Sequence, residues 1–152
     1  MNVHLIQLDC AWEDKPANHA RVRDLLVQRP PAAGSLIVLP ETFSTGFSCH
    51  VARTCQTPER EDEAFLSELA RAHDATVLGG VVSRGADGLA RNEAVAVAPD
   101  GAVLARYAKQ RPFPLAGEHE VHVAGTGPVS FRWSGLTVAP FVCYDLRFPE
   151  LF

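Results

Sequence analysis

Three polar side chains stand where apolar runs of the sequence end, and together they have the chemistry of a nucleophile with acid–base partners. They are Glu41, Lys109 and Cys143. A thiol becomes an effective nucleophile when a carboxylate within reach takes its proton. An ammonium group beside it stabilises both the thiolate and the oxyanion that forms when a carbonyl carbon is attacked. These residue types therefore predict cysteine-dependent attack on a carbonyl compound.

The turn that carries Cys143 is predicted from the residues on either side of it. Residues 136–142 are apolar and rich in β-branched types, which predicts a buried strand, and residues 144–152 turn polar as at the start of a helix. A thiol at such a turn lies near helix-end N–H groups, which favour a thiolate. The backbone N–H of Tyr144 is then a natural oxyanion donor.

Each of the three residues also has a purely structural explanation. Cys143 could be a small buried core thiol, because free cysteine is among the most buried residue types. Glu41 could be a solvated loop acid and Lys109 an exposed lysine at a strand end. The occurrence of all three at strand ends favours the chemical explanation.

The elements that must position these residues follow from apolar periodicity and turn residues. Helices are predicted at residues 18–28 and from Thr57, and strands at residues 3–8, 35–39, 75–83, 90–98, 102–108, 129–133 and 136–142. The middle strands form an antiparallel meander rather than βαβ repeats. We expect a mixed sheet with helices on one face and a second sheet on the other. The long Pro- and Gly-containing loop at residues 109–127 is expected to be functional.

Composition limits the class of protein and its partners. A chain of 152 residues with 47% hydrophobic and 21% charged residues is typical of one soluble globular domain. A net charge of -4 argues against nucleic acid or an anionic membrane as a partner. The N-terminus lacks the features of a signal peptide, and no apolar run approaches the roughly 18 residues of a membrane span. Four cysteines without a C-x-x-C pair predict free thiols, and we expect a cytoplasmic protein.

Three segments resemble the signatures of the nitrilase superfamily of carbon–nitrogen hydrolases, in the family's order. They are Leu39-Pro40-Glu41, Tyr107-x-Lys109 and the run from Val142 to Leu151. The resemblance extends to Asn92 and to the Pro99-Asp100-Gly101 turn, so it covers nearly the whole chain. It implies an α/β (α+β) protein with a four-layer αββα sandwich.

The resemblance also implies roles for individual residues. Glu41, Lys109 and Cys143 would form the catalytic set, with a second glutamate shortly after the lysine. Glu118 matches that position, and Glu120 is the alternative. We further expect Phe43 to line the pocket. Asp145 and Arg147 are expected to brace the turn through buried hydrogen bonds.

The branch within the superfamily is narrowed by two segments. Residues 143–151 are similar to the Nit-type amidases, and residues 41–47 are similar to bacterial ω-amidases, which deamidate 2-oxoglutaramate and 2-oxosuccinamate. A small-molecule amide substrate, no cofactor and a homo-oligomer are implied. The alternatives are another small-amide or N-carbamoyl hydrolase, acyl transfer to an amine, and a non-catalytic binding form.

A metal hydrolase is a further alternative, because residues 118–122 are rich in Glu and His. The spacing does not match H-E-x-x-H, and a Pro/Gly-rich loop surrounds it, so no metal is expected. Members of the resembled family continue beyond the length of this chain. We therefore expect residues 1–152 to be the N-terminal portion of a carbon–nitrogen hydrolase domain. An excerpt of a longer protein is favoured over a truncated chain, because truncation would leave large apolar faces exposed.

Overall fold

A computed structural model describes residues 1–152 of the protein. It has seven strands and four α-helices, which in chain order are β1 (Val3–Leu5), α1 (Lys15–Gln28), β2 (Leu36–Val38), α2 (Val51–Thr54), α3 (Glu61–His73), β3 (Thr76–Arg84), β4 (Ala90–Val97), β5 (Val103–Ala108), α4 (Glu118–Val121), β6 (Phe131–Trp133) and β7 (Leu136–Val138). Short 3-10 helices occupy Pro114–Ala116, Cys143–Arg147 and Pro149–Leu151. None of the α-helices combines the length and apolar character needed to cross a lipid bilayer.

The main sheet is mixed, with strand order β1-β2-β3-β4-β5. Strands β1, β2 and β3 are parallel, whereas β4 is antiparallel to both β3 and β5. The predicted antiparallel meander is therefore confirmed. Because β5 runs in the same direction as β2 and β3, the carboxyl ends of these three strands lie at one edge of the sheet, together with the first residues of β4.

Helices α1 and α3 cover one face of this sheet, as predicted, and enclose the largest apolar core. Val22 and Leu26 are four residues apart on α1, so both face the sheet. The remaining core residues come from α3, the strands and the segment after β2: Ile37, Leu39, Phe43, Phe65, Leu66, Leu69, Ala70, Ala75, Val77, Val81, Val95 and Val97.

Both helix starts differ from the prediction, one because of a side-chain cap and the other because of a left-handed turn before the helix. Helix α1 begins three residues early because the Asp14 carboxylate accepts a hydrogen bond from the Ala17 N–H, 3.0 Å away. Helix α3 begins at Glu61 rather than at Thr57. The Thr57 hydroxyl bonds the Glu61 carboxylate at 2.8 Å, and the chain passes through a left-handed conformation at Arg60, with φ of 53°.

The other face of the sheet is covered by a separate two-stranded sheet of β6 and β7. Phe131 and Trp133 from β6 pack with Leu36 and Ala96 of the main sheet. The Trp133 indole N–H also donates to the Gly34 carbonyl at 3.2 Å. A second sheet on this face was expected, and the helix layer and two sheets match the α/β fold of carbon–nitrogen hydrolases.

The segment before Cys143 is less regular than predicted. Strand β7 ends at Val138, and residues 139–142 have no regular secondary structure. Pro140 has no N–H to donate, so it cannot continue a hydrogen-bonded strand. After this segment the chain forms two 3-10 turns rather than an α-helix.

Candidate active site

The shared sheet edge brings Lys109 between two carboxylates. Lys109 follows β5, and its Nζ lies 2.7 Å from Glu41 Oε1 and 2.8 Å from Glu118 Oε2. Lys109 and Glu118 are buried, and the Glu41 side chain is 19% exposed. Burial acts to lower the pKa of Lys109, but the hydrogen bonds to Glu118 and Glu41 outweigh it and raise that pKa. The amine therefore stays protonated.

Asn92, on β4, links the same two carboxylates from the other side. Its Nδ2 donates to Glu41 Oε1 at 2.7 Å and to Glu118 Oε1 at 2.8 Å. Four hydrogen bonds thus close a ring through Lys109, Glu118, Asn92 and Glu41. Asn92 is not among the predicted site residues. The available signal was the polar run Arg91–Glu93 near the start of a strand that is otherwise apolar.

Glu41 is held in place by backbone contacts between its loop and β3. The Gly80 N–H donates to the Pro40 carbonyl, and the Phe43 N–H donates to the Gly80 carbonyl, both at 3.2 Å. A Cβ at Gly80 would lie 2.6 Å from the Glu41 Cα, so only glycine permits this approach. Thr42 has a φ of 46°, which is uncommon for a β-branched residue.

Glu118 lies on α4, a single turn inside the long loop that was predicted to be functional. The Phe113 N–H donates to Glu118 Oε2 at 2.6 Å and fixes the carboxylate beside Lys109. The loop is tied to the sheet where the Gly125 N–H donates to the Lys109 carbonyl at 2.8 Å. Glu120 is exposed and does not contact Lys109. The structure thus brings Glu118, and not Glu120, to the site.

Cys143 is exposed at a sharp turn and has a φ of 47°, a left-handed conformation that is strained for a non-glycine residue. The buried Asp145 carboxylate holds this turn by accepting three hydrogen bonds. The donors are the Tyr107 hydroxyl at 2.7 Å, the Arg111 N–H at 2.8 Å and the Val142 N–H at 3.1 Å.

The predicted bracing role is therefore confirmed for Asp145 but wrong for Arg147. The Arg147 side chain is exposed and makes no hydrogen bond or ion pair. Burial and the hydrogen bond to Asp145 raise the pKa of Tyr107 to about 12, so this hydroxyl remains a donor to Asp145.

The electrostatics at Cys143 differ from the expected thiolate-favouring environment. Partial burial raises the pKa of the Cys143 thiol, and the negative charge of Glu41 raises it further, while the nearby Lys109 ammonium lowers it. The turn after Cys143 is 3-10 rather than α-helical, so it offers little helix dipole. The thiol therefore rests protonated and needs a base to release its proton.

The aromatic residues are distributed differently from the prediction. Phe43 does not line the site, because it is fully buried in the core with its ring 5.9 Å from that of Phe65. Phe47, four residues later, instead places its ring 5.3 Å from Lys109 Nζ, which is a cation–π distance. The Tyr144 ring packs edge-on against Phe113 at 5.1 Å. The role of the Tyr144 N–H stays a prediction.

A small cavity of about 120 Å³ lies beside Cys143 and Glu41 and is lined mainly by apolar residues of β2, β3 and residues 140–142. The Glu- and His-rich segment at residues 118–122 does not form a metal cage, since no group of three or more potential ligands is brought together. All four cysteines are free, as predicted.

Comparison with known proteins decides the family. The sequence model of the carbon-nitrogen hydrolase family matches residues 2–152. The chain belongs to the carbon–nitrogen hydrolase family. The structure supports this, because a carbon–nitrogen hydrolase superfamily protein from Xanthomonas campestris, XC1258, solved with an arsenic adduct in its active site, superposes with a TM-score of 0.88. It is 30% identical, and the match covers 97% of this chain and 55% of that chain.

Other members of the carbon–nitrogen hydrolase family are similar over the same region. Omega-amidase YafV of Yersinia enterocolitica is 38% identical, with 98% of this chain and 56% of the relative covered. The 2-oxoglutaramate amidase of Bacillus subtilis is 24% identical, with 97% of this chain and 57% of the relative covered. The chain thus spans a little over half the length of the curated relatives that it matches.

Proposed function

We propose that the protein hydrolyses a small amide through a thioester on Cys143 and releases ammonia. The observation that carries this proposal is the ammonium of Lys109, held between the carboxylates of Glu41 and Glu118 at 2.7 Å and 2.8 Å. It lies at the sheet edge where Cys143 turns outward. Nucleophile, base and oxyanion stabiliser are then supplied by the chain itself.

In the first half of the reaction, Glu41 takes the proton of Cys143 as the sulfur attacks the amide carbonyl carbon. The raised pKa of this thiol makes a general base necessary. Lys109 Nζ and the Tyr144 N–H stabilise the oxyanion. Protonated Glu41 then gives its proton to the leaving nitrogen, the C–N bond breaks and ammonia departs.

In the second half, Glu41 takes a proton from water as the water oxygen attacks the thioester carbonyl carbon. The C–S bond breaks, the carboxylic acid product leaves, and the proton returns to the sulfur. Glu118 keeps Lys109 in place throughout through the 2.8 Å contact. Because Glu118 is fully buried, its role is positional.

As substrate, we propose the ω-amide of a small 2-oxo dicarboxylic acid, such as 2-oxoglutaramate or 2-oxosuccinamate. Support comes from the resemblance of residues 41–47 and 143–151 to ω-amidases. The names of two relatives, omega-amidase YafV and 2-oxoglutaramate amidase, agree with it. We further propose a cytoplasmic protein, because the free cysteines fit a reducing compartment. We also propose that the protein is a homo-oligomer, which light scattering of the purified protein would test.

The test is ammonia release from a panel of 2-oxoglutaramate, 2-oxosuccinamate, glutamine, asparagine, a simple nitrile and an N-carbamoyl amino acid. We expect the two 2-oxo acid amides to react fastest and Cys143→Ala to abolish turnover. A matched control is Cys10→Ala, a partly buried thiol on the helix side of the fold. Ammonia release by Cys143→Ala at the wild-type rate, or none from any amide with wild-type protein, would contradict the proposal.

A further inference from the structure

We propose that Asn92 is a positioning residue that assigns the transferred proton to one oxygen of Glu41, namely Oε2. The inference rests on the proposed function, in which Glu41 takes a proton from Cys143. Asn92 Nδ2 carries two hydrogens and lies 2.7 Å from Glu41 Oε1 and 2.8 Å from Glu118 Oε1, so each carboxylate receives one of them.

The two oxygens of Glu41 are therefore not equivalent. Oε1 accepts from both Lys109 Nζ and Asn92 Nδ2, which occupies its two lone pairs. Oε2 accepts no hydrogen bond from a protein N–H or hydroxyl. The proton from the thiol accordingly goes to Oε2. With Lys109 as its only donor, the Glu41 carboxylate would be free to rotate about that one hydrogen bond. The second donor, Asn92, fixes the plane of the carboxylate.

The unsatisfied end of the Asn92 amide shows that the site, and not packing, sets its orientation. Asn92 is 2% exposed, and its Oδ1 has no hydrogen-bond partner. Buried polar atoms without partners are uncommon in folded proteins. If the Asn92 amide were rotated, its Oδ1 would face the two carboxylates and be repelled by them. The observed orientation therefore gives both carboxylates a donor and leaves Oδ1 without one.

Asn18 provides a contrast within the same chain, because it is an equally buried asparagine with a structural role. Its Nδ2 donates to the carbonyls of Ala11 and Ser44, both at 2.7 Å, and its Oδ1 accepts from the Ala11 N–H at 2.7 Å. Every polar group of this side chain is satisfied by backbone. Asn92 instead has only ionisable side chains as partners.

Loss of the Asn92 side chain should slow the reaction. Removing its N–H groups leaves Lys109 as the only donor to Glu41 Oε1, so the carboxylate no longer holds Oε2 in a fixed orientation toward the thiol. Because a positioned base contributes about 10²–10⁴-fold, we expect kcat to fall by about 10-fold or more. KM should change little, since Asn92 is too buried to contact substrate.

The experiment compares Asn92→Ala and Asn92→Asp with Asn18→Ala as the matched control. Asn92→Asp preserves side-chain size, so a shared result in both Asn92 variants is not a packing defect. Asn18→Ala should lower thermal stability and keep a kcat close to that of the wild type at a temperature where the variant is folded. Asn92 variants that keep the wild-type kcat, or whose loss of kcat/KM comes from a raised KM, would overturn the inference.

A second measurement is independent of the substrate. The rate at which iodoacetamide alkylates Cys143, followed by peptide mass spectrometry near neutral pH, reports removal of the thiol proton. We expect alkylation about 10-fold slower in Asn92→Ala than in the wild type, on the same general-base argument. Wild-type protein that releases no ammonia while Asn92→Ala still slows alkylation would overturn the proposed function alone. Equal alkylation rates would overturn the role of Asn92.

Discussion

At the scale of single residues, the site is defined by a charge imbalance. One ammonium, on Lys109, faces two carboxylates, on Glu41 and Glu118, so the cluster carries excess negative charge when both are ionised. Partial burial and then the negative charge of Glu41 raise the pKa of the Cys143 thiol, which is why the thiol keeps its proton at rest. Catalysis would then depend on proton transfer during attack rather than on a preformed thiolate.

Replacing Lys109 by methionine tests its role directly. The change removes an oxyanion donor and leaves two carboxylates without their shared cation, so kcat for ammonia release should fall by at least about 10²–10³-fold. Lys15, the only other lysine, is the matched control because it pairs with Glu61 and Asp62 on the outer helices. Steady-state kinetics of Lys15→Met should resemble the wild type. A Lys109→Met enzyme with wild-type kcat would contradict the assignment.

Tyr107 gives a prediction for pH dependence. Its pKa is raised to about 12, so the unfolded chain, with an ordinary value near 10, loses this proton first. The contribution to stability is therefore complete below about pH 10 and is lost as pH rises toward 12. Absorbance at 295 nm should show one of the two tyrosines titrating late, and Tyr107→Phe should remove that late step. If both tyrosines of the folded protein titrated together near pH 10, the raised pKa of Tyr107 would be contradicted.

At the scale of elements, the site depends on a backbone-to-backbone contact between β3 and the loop after β2. The loop has two hydrogen bonds to Gly80, and an added Cβ there would meet Glu41 Cα, Thr42 N and Pro40 O at 2.6, 2.7 and 2.8 Å. A strand position that must be glycine thus fixes where Glu41 lies. Neither element could place Glu41 alone.

Gly80→Ala should therefore displace Glu41. Overpacking of this kind typically costs about 1–3 kcal/mol, which a urea denaturation curve would measure. A shift of about 1 Å at a catalytic group can cost about 10²-fold in rate, so activity should fall more than stability suggests. Gly127→Ala is the control, because a Cβ there has no neighbour within 4 Å. Equal activities for the two variants would show that this contact does not position Glu41.

At the scale of the whole molecule, the helix face and the opposite face of the sheet are covered unequally. The 14-residue core lies under α1 and α3, whereas the hairpin side has two smaller clusters of four and three buried residues. An apolar groove of about 630 Å³ remains open, lined by Pro128, Ala139, Phe141, Leu146, Leu151 and Phe152. Exposed apolar patches of this kind promote association or bind other apolar surfaces.

The 152-residue polypeptide should consequently bind the dye ANS at this groove. Leu146 is 68% exposed, so Leu146→Glu can add a charge to the groove without burying it and should reduce ANS fluorescence. Val27→Glu is the control, since Val27 is 76% exposed on α1, on the opposite face. Equal ANS fluorescence from both variants would place the dye-binding surface elsewhere.

Much of this arrangement could be predicted from the sequence because its signals are local. Strand periodicity predicted the five strands of the main sheet, and Glu41, Lys109 and Cys143 stood out as polar residues at strand ends. The short 139–142 segment was mistaken for strand because its apolar residues suit a strand, whereas Pro140 interrupts the hydrogen bonding. Helix starts were misplaced because they depend on the Asp14 side-chain cap and on the left-handed turn at Arg60, which a periodic pattern does not contain.

Only the tertiary structure decided which side chains meet across elements. Phe43 and Phe47 are both aromatic residues of one loop, yet the first lies in the core and the second lies beside Lys109. Asn92 and Glu118 are 26 residues apart and become partners only when β4 lies beside the end of β5. The raised pKa of Cys143 also depends on distances to Glu41 and Lys109. The sequence alone determined which residue types are present at the strand ends, whereas folding determined their contacts and pKa shifts, because electrostatic and hydrogen-bond energies depend on separation in space.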